Sequence, residues 1–206
     1  MYTPTTFLEK IKPLVIADMK TTGILASLTA AQAYLESNKG NSGLAKTANN
    51  LFGMKGKYNG AYVSMATKEY SAAAGYYTIT AAFRKYPSWA ESIADHSGLF
   101  NRLARYKNLR GETDYKKACK YVKDDGYATS PTYTDSLIKI IETYHLYEWD
   151  KEADGTNVLN PVLADVVDDV IAGKFGNGKA RKAALEALGY DYKEVQKEVN
   201  KRLKGA

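Results

Sequence analysis

The chain has 206 residues, 45% hydrophobic and 25% charged, and its 29 Lys/Arg against 23 Asp/Glu leave a formal charge of +6. That length supports one good core and a small second one, burying about 70% of the unfolded surface. No run of 18 apolar residues occurs, and Glu9, Lys10 and Lys12 interrupt the N-terminus before a signal-peptide core could form, so neither a membrane span nor a secretion leader is expected.

The single cysteine, Cys119, excludes an internal disulfide and reads as a buried or incidental thiol. A basic balance favours a polyanionic partner: nucleic acid, an anionic membrane surface or an anionic cell wall. Residues 161–206 carry nine Lys/Arg and seven Asp/Glu, so most of the excess lies upstream. No basic run exceeds two residues and the 17 tyrosines are spread through both halves, which argues against nucleic acid.

In chain order, the first informative stretch is SLTAAQAYLESNKG. Thr29 and Gln32 stand in capping-box spacing, an Ala/Leu run follows, and Asn38 and Gly40 mark the end. Glu36 then falls in the last turn of a helix, where aligned carbonyls and apolar neighbours such as Leu35 disfavour the ionised carboxylate. A protonated carboxyl is what a general acid requires. By spacing alone, an exposed helix-end glutamate is the plainer reading.

Next, Val63, Met65 and Thr67 alternate with Ser64, Ala66 and Lys68, and Tyr77, Ile79 and Ala81 repeat the pattern after an Ala-Gly turn. This predicts a β-hairpin with Glu69 near its tip. The two histidines, His96 and His145, lack metal-ligand spacing, and His145 continues the Leu137-Ile141 stripe as a helix-packing residue. No metal and no cofactor is expected.

The stretch from Trp149 to Pro161, WDKEADGTNVLNP, replaces apolar periodicity with Asp, Gly, Asn and Pro, as a linker does. It divides the chain into residues 1–150, a linker over 151–160, and residues 161–206. In the last part Val162, Val166 and Val170 repeat every four residues beside Leu163, Val167 and Ile171, and Gly173 stops the run. Lys179 to Leu188 forms a second helix with Ala184, Leu185 and Leu188 on one face and Gly189 as C-cap. Asp191 then caps a third, with Glu194 completing the box and Val195, Val199 and Leu203 as its stripe.

Between the first two of these helices lies GKFGNGKA, which fits the start of a phosphate-binding loop. Such a loop needs a preceding strand and a Ser/Thr hydroxyl for Mg²⁺. Here a helix precedes it and Ala180 takes the hydroxyl's place, so it is a helix-helix turn.

VIAGKFGNGKARKAALEALGYDYKEVQKEVNKRL closely resembles a cell-wall-binding repeat of phage endolysins, including lysozymes of pneumococcal phages. The resemblance implies a three-helix module that recognises the peptidoglycan disaccharide-peptide unit, with Phe175, Arg181, Tyr190, Asp191, Tyr192 and Gln196 as contacts. Phe175 stands where tryptophan is usual and loses the indole donor. Tyr190 and Tyr192 also fit as residues that pack the three helices.

Upstream, SLTAAQAYLES, GNSGLAKTANNLFGMKG, TKEYSAAAGYYTITAAFRKYPSWAESIADHSGLF and DGYATSPTYTDSLIKIIETYHLYEWD resemble, in that order, the glucosaminidases of glycoside hydrolase family 73. This implies a mainly helical, lysozyme-like α+β fold with a small hairpin, followed by the three-helix bundle. It also implies cleavage of the β-1,4 bond after N-acetylglucosamine in bacterial peptidoglycan. On this mapping Glu36 is the catalytic acid, Glu69 the second carboxylate, and Tyr127 and Tyr133 line the cleft.

Asn38-Lys39-Gly40 replaces the family's Gly-Trp-Gly, removing one aromatic sugar contact. Ser130 replaces an aspartate before Pro131 and still suits an N-cap. Glu69 is open to three roles: base, nucleophile, or assistant to attack by the substrate's own 2-acetamido group. A muramidase and a non-catalytic wall binder are the alternatives for the whole chain. Without a leader, the chain is expected to be made in a host cytoplasm and to act at the wall after release, with peptidoglycan as partner and neither nucleic acid nor membrane.

Overall fold

The computed structural model describes residues 1–71, 75–153, 161–188, 190 and 192–204. Helix α1 (Pro4–Thr22) opens on a reciprocal cap, in which Thr3 Oγ1 accepts from Thr6 N–H and Thr6 Oγ1 accepts from Thr3 N–H, with Pro4 in the first turn. Gly23, at φ 71°, closes it in the left-handed conformation. Phe7, Leu8, Ile11 and Val15 form its buried face.

Asp18 continues that stripe into the core, where Ser97 Oγ donates to its carboxylate at 2.6 Å. Desolvation dominates, lifting its pKa to about 7 against the opposing hydrogen bonds of Ser97 and Thr22. A carboxyl whose folded pKa is raised subtracts stability as pH climbs from its unfolded value towards 7, and subtracts most above that. Asp18→Asn is therefore expected to raise Tm at pH 8, by up to ~4 kcal/mol in stability, and to change little at pH 4. A pair of thermal melts at the two pH values checks this; a loss of stability at pH 8 would show that ionised Asp18 is a net asset.

Helix α2 (Ala26–Glu36) is the central element, buried on every side from Ala26 to Ala33. Its alanines let neighbouring helices approach closely, and each end is tied to a distant segment. At the start, Ser27 N–H and Oγ donate to the two Asp150 carboxylate oxygens at 2.8 and 2.6 Å, a negative charge at a helix N-terminus. The helix begins three residues before the expected capping box. Thr29 and Gln32 are interior and buried, and Gln32 donates its amide to Tyr133 instead of capping the backbone.

Helix α3 (Gly43–Ala48), capped by Ser42, leads to the hairpin of β1 (Tyr62–Ser71) and β2 (Gly75–Arg84). The strands are antiparallel in the expected alternation, with Val63 opposite Phe83, Met65 opposite Ala81 and Thr67 opposite Ile79. Helix α4 (Trp89–Arg102), a 3₁₀ segment (Ala104–Leu109), α5 (Tyr115–Asp124), α6 (Tyr133–Thr143) and α7 (Tyr147–Ala153) complete this part. They pack one hydrophobic core with α1 and α2.

Two local expectations are corrected. Helix α6 starts at Tyr133, after a turn in which Tyr133 N–H reaches Ser130 C=O, so Ser130 is not its cap. His145 lies past the helix end at φ 52°, exposed and bonded through Nδ1 to Tyr147 OH at 2.8 Å; Leu146 takes the buried place. The left-handed residue breaks the period of four.

Helices α8 (Pro161–Ile171), α9 (Gly178–Ala187) and α10 (Tyr192–Lys204) build a second, separate hydrophobic cluster of Val166, Val167, Val170, Leu185, Val195 and Val199. GKFGNGKA is the turn between α8 and α9, with Gly173, Gly176 and Gly178 all at positive φ. Leu188 and Leu203, expected on the packed faces, are more than half exposed: Leu188 lies just past the end of α9 and Leu203 in the last turn of α10. Gly189 and Asp191, expected as caps, lie outside the described residues, as do residues 154–160 of the expected linker.

Candidate active site

Glu36 is the last residue of α2, as the sequence predicts. After Ser37 the chain makes three successive left-handed residues, Asn38, Lys39 and Gly40. For a lysine that conformation costs roughly 1–2 kcal/mol. The turn is held by Lys39 N–H to Tyr34 C=O at 2.9 Å, Ser42 N–H to Ser37 C=O at 2.8 Å, and Gly40 N–H to Ser37 Oγ at 2.7 Å. Ser37 is fully buried and its hydroxyl donates back to Ala33 C=O. This cross-bracing fixes the backbone that carries Glu36.

Two tyrosines reach the same place from other helix ends. Gly126, at φ 83°, ends α5 and turns the chain back so that Tyr127 N–H meets Val122 C=O. Tyr133 opens α6, and its hydroxyl donates to Glu36 Oε1 at 2.8 Å while accepting from Gln32 Nε2 at 3.1 Å. The Tyr127 and Tyr133 rings are 6.1 Å apart. Behind Tyr127, His96 packs edge-on at 5.5 Å and itself stacks on Phe52 at 3.8 Å. His96 is fully buried and held down to about 3 by desolvation, so it is a neutral packing imidazole.

Glu36 is open to solvent on one side, yet desolvation by the surrounding protein raises its pKa, outweighing the hydrogen bond from Tyr133 that lowers it. Leu35, expected to supply that shielding, is itself exposed. Burial, and then the Glu36 charge, push both Tyr127 and Tyr133 well above the usual phenol range, so both stay protonated donors. Removing one donor has a definite sign. Tyr133→Phe is expected to raise the Glu36 pKa further, cost about 1 kcal/mol of stability, and carry the alkaline limb of activity to higher pH. A pH–rate profile checks this; a downward move of that limb would show that Tyr133 does not stabilise the carboxylate.

Glu69 lies on β1 opposite Tyr77, two ladder pairs from the Ser71–Gly75 end. It is therefore carried by a different element from the Glu36, Tyr127 and Tyr133 cluster. Gln32, one helical turn before Glu36, was read from the sequence only as a capping residue, and Asp150 was not singled out. The i, i+4 spacing of Gln32 and Glu36 was a usable signal, whereas nothing local links Asp150 to Ser27.

In the C-terminal part, Arg181 is an organising residue. Its guanidinium donates to Gly176 C=O at 3.0 Å, Asn177 Oδ1 at 2.9 Å and Gln196 Oε1 at 3.1 Å, and Gln196 in turn donates to Asn200 Oδ1 at 2.9 Å. Phe175, Tyr190 and Tyr192 are half-buried against the valine cluster. The Tyr190 ring also faces the Arg110 guanidinium at 5.5 Å.

A carboxyl group whose pKa burial raises, braced at a helix end beside two neutral phenols, in a mainly helical fold with one small hairpin, defines a glycoside hydrolase of lysozyme-like fold. The family model for glucosaminidases, described as mannosyl-glycoprotein endo-beta-N-acetylglucosaminidase, matches residues 12–146, and that of the CW_7 repeat matches residues 164–203. The chain belongs to the glucosaminidase family, glycoside hydrolase family 73, and carries a CW_7 repeat.

It is 43% identical over 148 residues to the exo-glucosaminidase LytG of Bacillus subtilis, covering 69% of this chain and 50% of that one. An N-acetylmuramoyl-L-alanine amidase domain-containing protein of Staphylococcus aureus is 42% identical over 137 residues, 63% of this chain and 22% of that one. The chain thus spans half or less of the length of these curated relatives. The catalytic domain of the autolysin Auto from Listeria monocytogenes superposes with a TM-score of 0.68 at 37% identity, over 73% of this chain and 90% of that one.

Proposed function

We propose that this chain is a peptidoglycan hydrolase of the endolysin type that cleaves the β-1,4 bond after N-acetylglucosamine, with Glu36 as general acid. The observation that carries the reading is the Glu36 carboxyl, raised in pKa at the end of α2 and bonded through Oε1 to Tyr133. With Oε1 occupied as acceptor, Oε2 is the oxygen that bears the proton and delivers it to the glycosidic oxygen. As the proton leaves, Tyr133 stabilises the carboxylate that forms, and its own neutral state keeps it a donor throughout.

The oxocarbenium-like transition state needs a partner on the opposite sugar face. Glu69 is read as that partner, a base for the attacking water, brought to the cleft by the hairpin with substrate bound. The first part, which runs through α7 to Ala153 and not only to residue 150 as expected, is the catalytic part, and 161–206 the wall-binding part; the two separate hydrophobic clusters support that division. The second part holds the first at an insoluble substrate and raises its effective concentration there. Its Arg181–Gln196 pair braces the helices, leaving Phe175, Tyr190, Asp191 and Tyr192 as the wall contacts. The chain acts at the wall after release from the cytoplasm in which it is made.

Reducing-end analysis of digested peptidoglycan tests the reading. New N-acetylglucosamine reducing ends are expected. New N-acetylmuramic ends would make the chain a muramidase, and no new ends would leave a wall binder.

A further inference from the structure

The hairpin that carries Glu69 is held at its root. Arg84, the last residue of β2, pairs with Tyr62, the first of β1, and is tied to the body of the protein through both backbone and side chain. Its N–H donates to Met54 C=O at 2.9 Å and its C=O accepts from Asn50 Nδ2 at 2.9 Å. Its Nε donates to Lys55 C=O at 3.2 Å, and its Nη1 donates to the Asp95 carboxylate of α4. Tyr86 OH donates to the same carboxylate at 2.7 Å, and Arg102 reaches its other oxygen at 3.3 Å. The Asp95 side chain is only 11% exposed. Its helix is anchored there by Ser92, Ile93, His96 and Ser97, all buried in the core. Burial alone would raise the Asp95 pKa, but the Tyr86 and Arg84 hydrogen bonds and the arginine charges hold it below the carboxylate range, so the anchor stays ionised at neutral pH.

Beyond the root, support thins. Phe83 is buried, whereas Tyr77, Thr78, Ile79 and Thr80 are exposed. From Tyr62 to Glu69 is seven steps along the strand, or roughly 23 Å. On a lever of that length, about 1 Å at the tip corresponds to about 2.5° at the root, and a misplacement of about 1 Å can cost ~10²-fold in rate.

From this geometry we infer that Asp95 is a positioning residue for catalysis: by clamping Arg84 and Tyr86 to α4, it sets the angle at which the hairpin presents Glu69 to Glu36. The inference rests on the reading of Glu69 as the second carboxylate. A structural residue elsewhere would lower stability and act independently of Glu69, whereas Asp95 acts through it.

The test is a double-mutant cycle of Asp95→Asn and Glu69→Gln, with kcat and KM measured on soluble peptidoglycan fragments. Asp95→Asn is expected to lower kcat by about 10–100-fold with KM nearly unchanged. In the Glu69→Gln background it is expected to have no further effect. Arg84→Lys keeps the charge but loses the fork that spans Asp95 and Lys55, and should reproduce both results even if Asp95→Asn fails to fold. Arg102, whose side chain is 56% exposed, is the control, and Arg102→Ala should change kcat less than twofold. If Glu69→Gln is fully active, the reading of Glu69 is wrong and the inference falls with it. If Glu69→Gln is impaired while the root variants are normal or strictly additive with it, only the role of Asp95 is overturned.

Discussion

Glu36→Gln is expected to abolish cell-wall lysis, lowering the rate of glycan cleavage by ~10²–10⁴-fold, while Tm stays within a degree or two of the parent. The two halves of that expectation have different causes. Glutamine is nearly isosteric, and its amide oxygen still accepts from Tyr133, so the Gln32–Tyr133–36 chain of hydrogen bonds survives. It also replaces a carboxyl whose ionisation burial already disfavours, so no charge interaction that holds the fold is lost. What disappears is the transferable proton. Wall-suspension clearing and a thermal melt on the same preparation measure both halves. Activity above about a tenth of the parent would mean that another group protonates the leaving oxygen, and no such group lies in the Tyr127–Tyr133 cluster, where both phenols are held far above neutrality.

Gly40→Ala is expected to cost about 2–5 kcal/mol. Gly40 sits at φ 71°, a conformation that penalises any side chain by roughly 1–2 kcal/mol. A Cβ there would also lie 2.7 Å from the Trp89 ring and 3.1 Å from Phe7. Neither ring has room to retreat: both are buried, they pack on each other at 5.6 Å, and the Lys10 ammonium covers Trp89 at 4.1 Å. Overpacking of this kind adds ~1–3 kcal/mol, and the sum lowers Tm by about 5–15 °C in a chain of this size. Because Gly40 closes the turn that begins at Ser37, the variant should lose activity below its melting temperature as well, through displacement of Glu36. Differential scanning calorimetry together with activity at a permissive temperature separates the two effects. A variant as stable as the parent would show that the Trp89 wall yields.

The left-handed run at Asn38, Lys39 and Gly40 also bears on how the site differs from its family's pattern. The turn needs left-handed geometry at three successive positions, and this chain meets it with asparagine, lysine and glycine. Asparagine tolerates that region, and the lysine is compensated by its backbone bond to Tyr34 and by its ammonium lying 5.5 Å over the Tyr34 ring. The turn is built here without the aromatic side chain usual in the family's pattern.

Local patterns in the sequence sufficed for much of this. Strict alternation from Val63 to Thr67 and from Tyr77 to Ala81 specifies a hairpin and its register, because a slip of one residue would turn every side chain over. The fourfold valine repeat and the glycines of GKFGNGKA specify a helix and a turn, which removed the phosphate-loop reading. The run ending at Asn38 and Gly40 placed Glu36 in a last helical turn. Helix α1 went unread although Thr3-Pro4 and the spacing of Phe7, Ile11 and Val15 announce it.

Tertiary structure alone decided the rest. Thr29 and Gln32 look like a cap because spacing records only local competition for backbone groups; packing of α2 against its neighbours started the helix earlier and sent Gln32 to Tyr133. His145 left its expected packed position for the same reason, since burial depends on where a chain turns and not on its period. The raised pKa of Glu36 is the clearest case. A helix terminus exerts only a modest pull on a carboxyl, whereas desolvation and a hydroxyl contributed from 97 residues away set its balance. Sequence determined which groups exist and on which elements they ride; the low-dielectric surroundings that give them their chemistry exist only once distant segments have packed together.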